Sequence, residues 1–250
     1  MSARRFAALI AILAAVTAVQ TVSAQRSALD IVRELDEDRR PRTMRAEMTL
    51  RVYADAGSDR VTRELSLLSM TRGSDESYIE FRAPANIAGL RLLQTGDTMR
   101  VFFPSTGRVR VISGRARTGS VGGVGGDFTY EDIDAAPLRQ IYTDFAIVGE
   151  DAQRWRISAV PISATSAYER VVISVDKQLM AVALVEYYAG GELAKRMETT
   201  RYTRIVGMSV GSEFTMTDLK ANSRSVLLVD DLEWNVLLPA RHFDPDRFHR

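Results

Sequence analysis

The chain has 250 residues, 33 Lys and Arg against 32 Asp and Glu, and no cysteine. That length can bury a substantial core, and the missing cysteines exclude disulfides, thiolate metal sites, a cysteine nucleophile and a lipidated N-terminal cysteine. The balanced charge, carried by arginine with only Lys177, Lys195 and Lys220 as lysines, asks for no nucleic acid partner.

Arg4 and Arg5 precede an uncharged run over 6–19, which leads to the small-residue triplet Val22-Ser23-Ala24. Residues 1–24 therefore read as a secretory signal peptide cleaved after Ala24, since the run is shorter than the ~20 apolar residues of a membrane anchor. This places the product in the periplasm. Residues 25–42 carry an amphipathic helix: Ser27-Ala28-Leu29-Asp30 resembles a capping box, and Ala28, Ile31, Val32 and Leu35 fall on one stripe before Arg39-Arg40-Pro41 ends it. The third unit is 43–250.

From Thr43 the period becomes two. Met44, Ala46, Met48, Leu50 and Val52 alternate with Thr43, Arg45, Glu47, Thr49 and Arg51, which gives a strand dry on one face and wet on the other. Turn signals then separate further predicted strands at 61–71, 78–82, 99–103, 145–148, 155–160, 168–175, 179–188, 194–205, 213–219 and 225–234. Asp176-Lys177-Gln178 and Ala189-Gly190-Gly191 read as tight hairpin turns. Strands do not alternate with long helices. The predicted fold is mainly β (α+β), a curved antiparallel sheet forming an unclosed barrel with a few short helices as lid.

Between the two series of strands lies a glycine-rich stretch. Gly119, Gly122, Gly123, Gly125 and Gly126 are followed by Asp127, Phe128, Tyr130, Glu131 and Asp132. A phosphate-binding loop would place Lys and Ser/Thr where Asp127 stands, so the segment reads instead as a flexible flap hinged to an anchor at Phe128 and Tyr130. Glu131, Asp132 and Asp134 lack calcium-loop spacing and read as flanking a short helix. Arg108, Arg110, Arg115 and Arg117 form a small basic patch beside the flap.

Two constellations mimic catalytic or metal chemistry. Gly207-Met208-Ser209-Val210-Gly211 matches G-x-S-x-G, with Asp230 and His242 following in hydrolase order. A nucleophile elbow needs a helix after the serine, whereas Ser212-Glu213-Phe214-Thr215-Met216 alternates like a strand, so both glycines read as turn residues and no enzyme is expected. His242 and His249, with Asp244 and Asp246 between them, sit in a Pro-containing tail with nothing to fix ligand geometry. They read as a solvated terminus. No cofactor or metal is expected.

The apolar row is the remaining candidate. Met44, Met48, Leu50, Ile79, Phe81, Met99, Val101 and Phe103 would share one concave face, either as an ordinary core or as the lining of a lipid-binding cavity, for which methionine's adaptable shape is suited.

Three runs resemble a known family. Phe81-Arg82-Ala83-Pro84-Ala85-Asn86-Ile87-Ala88-Gly89 with Leu90-Arg91-Leu92-Leu93, then Phe102-Phe103-Pro104-Ser105-Thr106-Gly107-Arg108-Val109-Arg110, and above all Gly126-Asp127-Phe128-Thr129-Tyr130-Glu131-Asp132 resemble the outer-membrane lipoprotein-sorting protein family, whose fold is LolA-like. The resemblance implies a periplasmic chaperone and carrier, a monomer, which shields lipid or lipoprotein acyl chains in a hydrophobic β-barrel during lipoprotein transport, between an inner-membrane transporter and an outer-membrane acceptor. The alternative it leaves open is a non-catalytic sensor or accessory domain that binds an inner-membrane exporter or signalling partner. At ~0.8 kcal/mol per methylene, a sixteen-carbon chain resists exposure to water by roughly 12 kcal/mol, so a dry concave sheet under a lid answers a physical need without any catalytic group.

Overall fold

In a computed structural model, residues 26–38, 41–133 and 136–250 are described. The expected signal peptide, Arg39, Arg40 and Asp134 lie outside them. Helix α1 is Ala28–Arg33, continued by a π-helical turn over Glu34–Asp38. It starts as its sequence dictates: Ser27 Oγ accepts the Asp30 N–H at 3.1 Å and donates to the Asp30 carboxylate at 2.6 Å, which satisfies one of the free amides of the first turn. Ala28, Ile31 and Val32 are buried.

Thirteen strands form one antiparallel sheet: β1 (Thr43–Tyr53), β2 (Val61–Arg72), β3 (Glu76–Ala83), β4 (Arg91–Thr95), β5 (Thr98–Phe103), β6 (Arg108–Ile112), β7 (Tyr142–Glu150), β8 (Arg154–Pro161), β9 (Arg170–Asp176), β10 (Ala181–Ala189), β11 (Glu192–Ile205), β12 (Met208–Asp218) and β13 (Ser223–Trp234). The order across the sheet is 6-5-4-3-2-1-13-12-11-10-9-8-7. The chain thus walks from the centre to one edge, resumes at the opposite edge with the short helix α2 (Leu138–Ile141) and β7, and walks back until β13 pairs with β1. That central seam sets Met44 opposite Trp234 and Leu50 opposite Leu227. The sheet is unclosed, with β6 and β7 as its two edges.

Of these strands, β4 and β6 were not foreseen. Leu92 and Leu93 of β4 are both buried, one on each face, so the strand shows no alternation. Strand β6 is an exposed edge whose Arg108 and Arg110 read only as charge. Strand β12 also begins earlier than expected, because Val206 and Gly207 alone form the turn from β11. Gly211 is therefore a strand residue and not a turn residue. A Cβ there would lie 2.6 Å from the Phe214 ring, so the glycine makes room for an aromatic neighbour.

The two faces carry separate cores. Leu65 and Leu67 belong to the main cluster, with α1, β5 and β8–β10, whereas Leu68 and Met70 belong to a second cluster, as neighbouring residues of a strand must point to opposite faces. The second cluster corrects the reading of the C-terminus. The tail is docked, not solvated: Phe243 and Phe248 are buried against Tyr78 and Leu93, His242 stacks on Tyr78 with centroids 4.6 Å apart, and His249 lies 5.4 Å from the Phe102 ring. Aromatic residues at 243 and 248 were the available signal, hidden behind the charges around them.

The His242 ring is neutral in this setting, since its Nε2 accepts the Arg241 Nε–H at 3.3 Å. Burial, followed by the charge of Arg241, holds its pKa below the usual 6.5, with Glu80 opposing and Arg91 and Arg82 reinforcing the shift. A base whose folded pKa is depressed supports folding fully above its unfolded value and loses that support as pH falls below it. We expect the urea midpoint to decline on acidification below about pH 6.5, and the His242→Phe variant, which keeps the stacking, to decline less. Equal declines would show that the ring does not couple to stability.

Candidate functional site

The concave face is covered by three pieces of chain. Helix α1 lies against β7 and α2, and the two helices are joined by the buried Asp36, whose carboxylate accepts the backbone N–H of Leu138 at 2.7 Å and of Arg139 at 3.0 Å. Asp36 thus caps α2 from a distance in sequence. The third piece is the glycine-rich segment. It is a closed loop: an antiparallel bridge between Ser120 and Thr129, with Tyr130 N–H to the Gly119 carbonyl at 3.1 Å, forms its neck. Val121, Val124, Phe128 and Tyr130 are all buried in the main core, and the Tyr130 hydroxyl accepts the Gly122 N–H at 3.1 Å.

What pins this loop is polar. The Asp127 carboxylate accepts the hydroxyls of Ser223 and, at 2.6 Å, Ser225, while its own N–H donates to Ser225 Oγ. Lys195 Nζ donates to the Asp127 carbonyl at 2.6 Å and to Asp132 Oδ2 at 3.1 Å. Asp132 Oδ1 receives the Tyr168 hydroxyl at 2.8 Å, and Glu131 receives the Ser166 hydroxyl and the Ala167 N–H. Each buried charge has partners, as low-dielectric surroundings require. Among the described residues Glu131 and Asp132 cap no helix, and instead tie the loop to the β8–β9 connection and to β11. Gly126 is needed where the loop passes β13: its φ is +84° and a Cβ would meet Ser225 Oγ at 2.8 Å and Val52 Cγ2 at 3.1 Å.

Beside the pinned loop, over β9–β12, a cavity of about 240 Å³ remains. Ile173, Val182, Val185, Tyr187, Met197 and Phe214 supply its apolar wall, and Asp132, Tyr168 and Thr199 its polar points. Burial and the neighbouring Asp132 push the Tyr168 phenol well above its usual range, and burial does the same to Tyr187, so both are neutral hydroxyls. A second, more polar space of about 380 Å³ shares Glu131, Ala136 and Ile141 with the cavity and extends past Ser113, Gln140, Ser163 and Thr165. An apolar pocket that adjoins a more polar space suits an amphiphile.

The residues expected from the sequence to line a cavity lie elsewhere. Met48, Leu50, Ile79, Phe81, Met99, Val101 and Phe103 lie in or against the main core and Met44 is partly buried at the β1 end of the seam, yet none of the eight lines the 240 Å³ cavity. They belong to the half of the concave face on β1–β5. There the loop packs on them: Gly122 approaches the Phe103 ring and Gly123 approaches Ile87. Gly119, Gly122, Gly123 and Gly125 are exposed, with Val121 and Val124 turned inward between them. In the basic patch, Arg110 stands over the Phe103 ring at 5.5 Å. The missed residues are Lys195, Tyr168, Tyr187, Ser223 and Ser225. A lysine in the inward row Lys195, Met197, Thr199 was the signal that could have found them.

A family model described as "Uncharacterized protein" matches residues 73–250. The chain belongs to that family. Three solved structures are similar over nearly the whole fold. A DUF1329 family protein from Desulfovibrio piger has a TM-score of 0.76 at 22% identity, covering 88% of this chain and 96% of that one. A protein described as an outer membrane lipoprotein-sorting protein domain, from Vibrio parahaemolyticus, has 0.75 at 20%, covering 89% and 97%. A LolA superfamily protein from Nitrosomonas europaea has 0.73 at 22%, covering 89% and 99%. The fold is LolA-like, an unclosed antiparallel sheet with few short helices. No curated protein sequence matches the chain. In this LolA-like fold the G-x-S-x-G run starts at Gly207, the second residue of the turn, and continues into β12 of an antiparallel hairpin, and no elbow is formed.

The network makes a measurable claim. With the Lys195 side chain 11% exposed and the Asp132 side chain 0%, removing one partner strands a buried charge. Lys195→Met is expected to lower unfolding free energy by about 3 kcal/mol, and Asp132→Asn added to it to restore part of the loss. A Lys195→Met protein as stable as wild type in urea would show that the loop is not held by this contact.

Proposed function

We propose that this LolA-like protein is a periplasmic, non-catalytic carrier that shields an acyl chain of a lipid or lipoprotein in the cavity over β9–β12. The observation that carries the reading is the pairing of spaces: an apolar cavity bordered by α2 and the edge of the pinned loop, sharing Glu131, Ala136 and Ile141 with a more polar space. Drug-sized ligand pockets span about 300–1,000 Å³, so 240 Å³ suits the end of one chain and not a whole three-chain lipoprotein. Met197 and Phe214 give the wall side chains that can rotate to lengthen it. For longer cargo the floor of Met48, Leu50, Ile79, Phe81, Met99, Val101 and Phe103 is the natural extension, reached when the segment 119–126 lifts off it as a flap and Phe128 and Tyr130 stay as its anchor. The likeness to lipoprotein-sorting and LolA superfamily structures supports the same reading.

The test is lipid content. Protein exported and processed by its host, then extracted with organic solvent, is expected to release an acyl amphiphile detectable by mass spectrometry, and the delipidated protein to take it up again from a lipid extract. Val182→Trp, which fills the cavity from β10, is expected to retain about a tenth of that lipid or less, a loss of ~1.4 kcal/mol in binding. Equal lipid in wild type and Val182→Trp, or none in either, would overturn the proposal. A stable complex with a membrane exporter and no lipid would support an accessory domain instead.

A further inference from the structure

At the end of the sheet away from the pinned loop, the turn between β11 and β12 contradicts the rules of its own geometry. Its two central residues, Val206 and Gly207, have φ of +50° and +78°, the type I′ turn that favours Asn, Asp or Gly at both positions. A β-branched residue at positive φ is a genuine outlier, and Val206 is also 76% exposed. It is strained and buries little, so folding gives scant reason for it. Leu237, from a different segment, is 101% exposed. The two meet at one open groove together with Met208, Trp234, Val236 and Arg42.

The display is rigid. Arg42 N–H donates to Asn235 Oδ1 at 3.0 Å, Asn235 N–H to the Thr43 carbonyl at 2.7 Å, and Thr43 Oγ1 to the Val236 carbonyl at 2.7 Å. The charge around it is one-sided. Arg42 lines the groove and Arg204 stands two residues before Val206, both exposed and neither in an ion pair among the described residues. The nearby acids Asp231 and Glu233 face Arg45 instead.

We infer that this end of the sheet is a docking tip for an anionic lipid bilayer, in which Val206 and Leu237 enter the acyl boundary and Arg42 and Arg204 meet lipid phosphates. Protruding aliphatic side chains beside a tryptophan and free arginines are the composition of an interfacial anchor. A protein partner would call for a broader face, ~800 Å² on each side, whereas the apolar part here is a few side chains at a tip. Two aliphatic anchors give weak, reversible attachment, and the tip is separate from the cavity, so it stands whether or not the cavity carries lipid.

The experiment is sedimentation of the exported, processed protein with vesicles of equal parts phosphatidylglycerol and phosphatidylcholine, and with phosphatidylcholine alone. Wild type is expected to bind the anionic vesicles, and Val206→Ser/Leu237→Ser to bind about tenfold less. Arg42→Gln/Arg204→Gln is expected to erase the preference for anionic over neutral vesicles. Val206→Asn guards against loss of fold: asparagine suits the turn, so the thermal midpoint is expected to hold or rise while vesicle binding falls, with lipid content of the purified protein unchanged. Equal sedimentation of wild type and Val206→Ser/Leu237→Ser would overturn the inference. So would a dimer that this double substitution converts to monomer in a protein that ignores vesicles.

Discussion

The ammonium of Lys195, on the inner face of β11, neutralises the Asp132 carboxylate and satisfies the Asp127 carbonyl at once, and the order of the concave side follows from that double contact. A glycine-rich segment has little apolar side chain with which to hold a position, and it loses more conformational freedom on folding than any other composition. Here two valines and two aromatics supply the burial, while Ser223, Ser225, Tyr168 and Lys195 supply direction. Because an unpaired charge in such a place is strongly penalised, the end of the loop from Asp127 to Asp132 has one arrangement and not several. The cavity exists because this arrangement stops short of β9–β12.

The same logic separates the two halves of the sheet. On β1–β5 the loop, Ile87 and the strands interdigitate as a packed core, whereas on β9–β12 the cover consists of α2 and the edge of the loop, held through Asp36 and Asp132 by hydrogen bonds. Covers held by a few polar contacts open more readily than packed ones. A carrier must release what it holds, and the polar attachments lie beside the space proposed to hold it.

Much of the architecture was legible in the sequence because its cause is local. The alternation from Met44 to Val52, the Ser27 cap and the Gly190-Gly191 turn, whose residues both have positive φ, each follow from neighbouring residues alone. The resemblance carried by the run 126–132 pointed to the right fold for a reason that periodicity could not supply. What stayed hidden depends on partners far away in the chain. Asp36 and Leu138, Asp127 and Ser225, or Tyr78 and His242 are separated by long stretches, and nothing in their immediate surroundings announces the pairing. Seven of the eight residues chosen from the apolar row lie in or against one core cluster, but alternation cannot say which part of a dry face is filled by a loop and which is left open. That division was set by Lys195 and Tyr187, two residues with polar groups that a search along the wholly apolar row passes over.

The account turns on where a hydrocarbon chain sits, and photocrosslinking locates it most directly. A phospholipid with a photoreactive group near the end of one acyl chain, loaded into the delipidated protein and irradiated, should label peptides from β9–β12, with Val185, Tyr187, Met197 and Phe214 among the modified residues. Labelling confined to the outer face around Tyr78 and Phe248, or to the tip at Val206 and Leu237 with none in β9–β12, would contradict the cavity as the site of cargo.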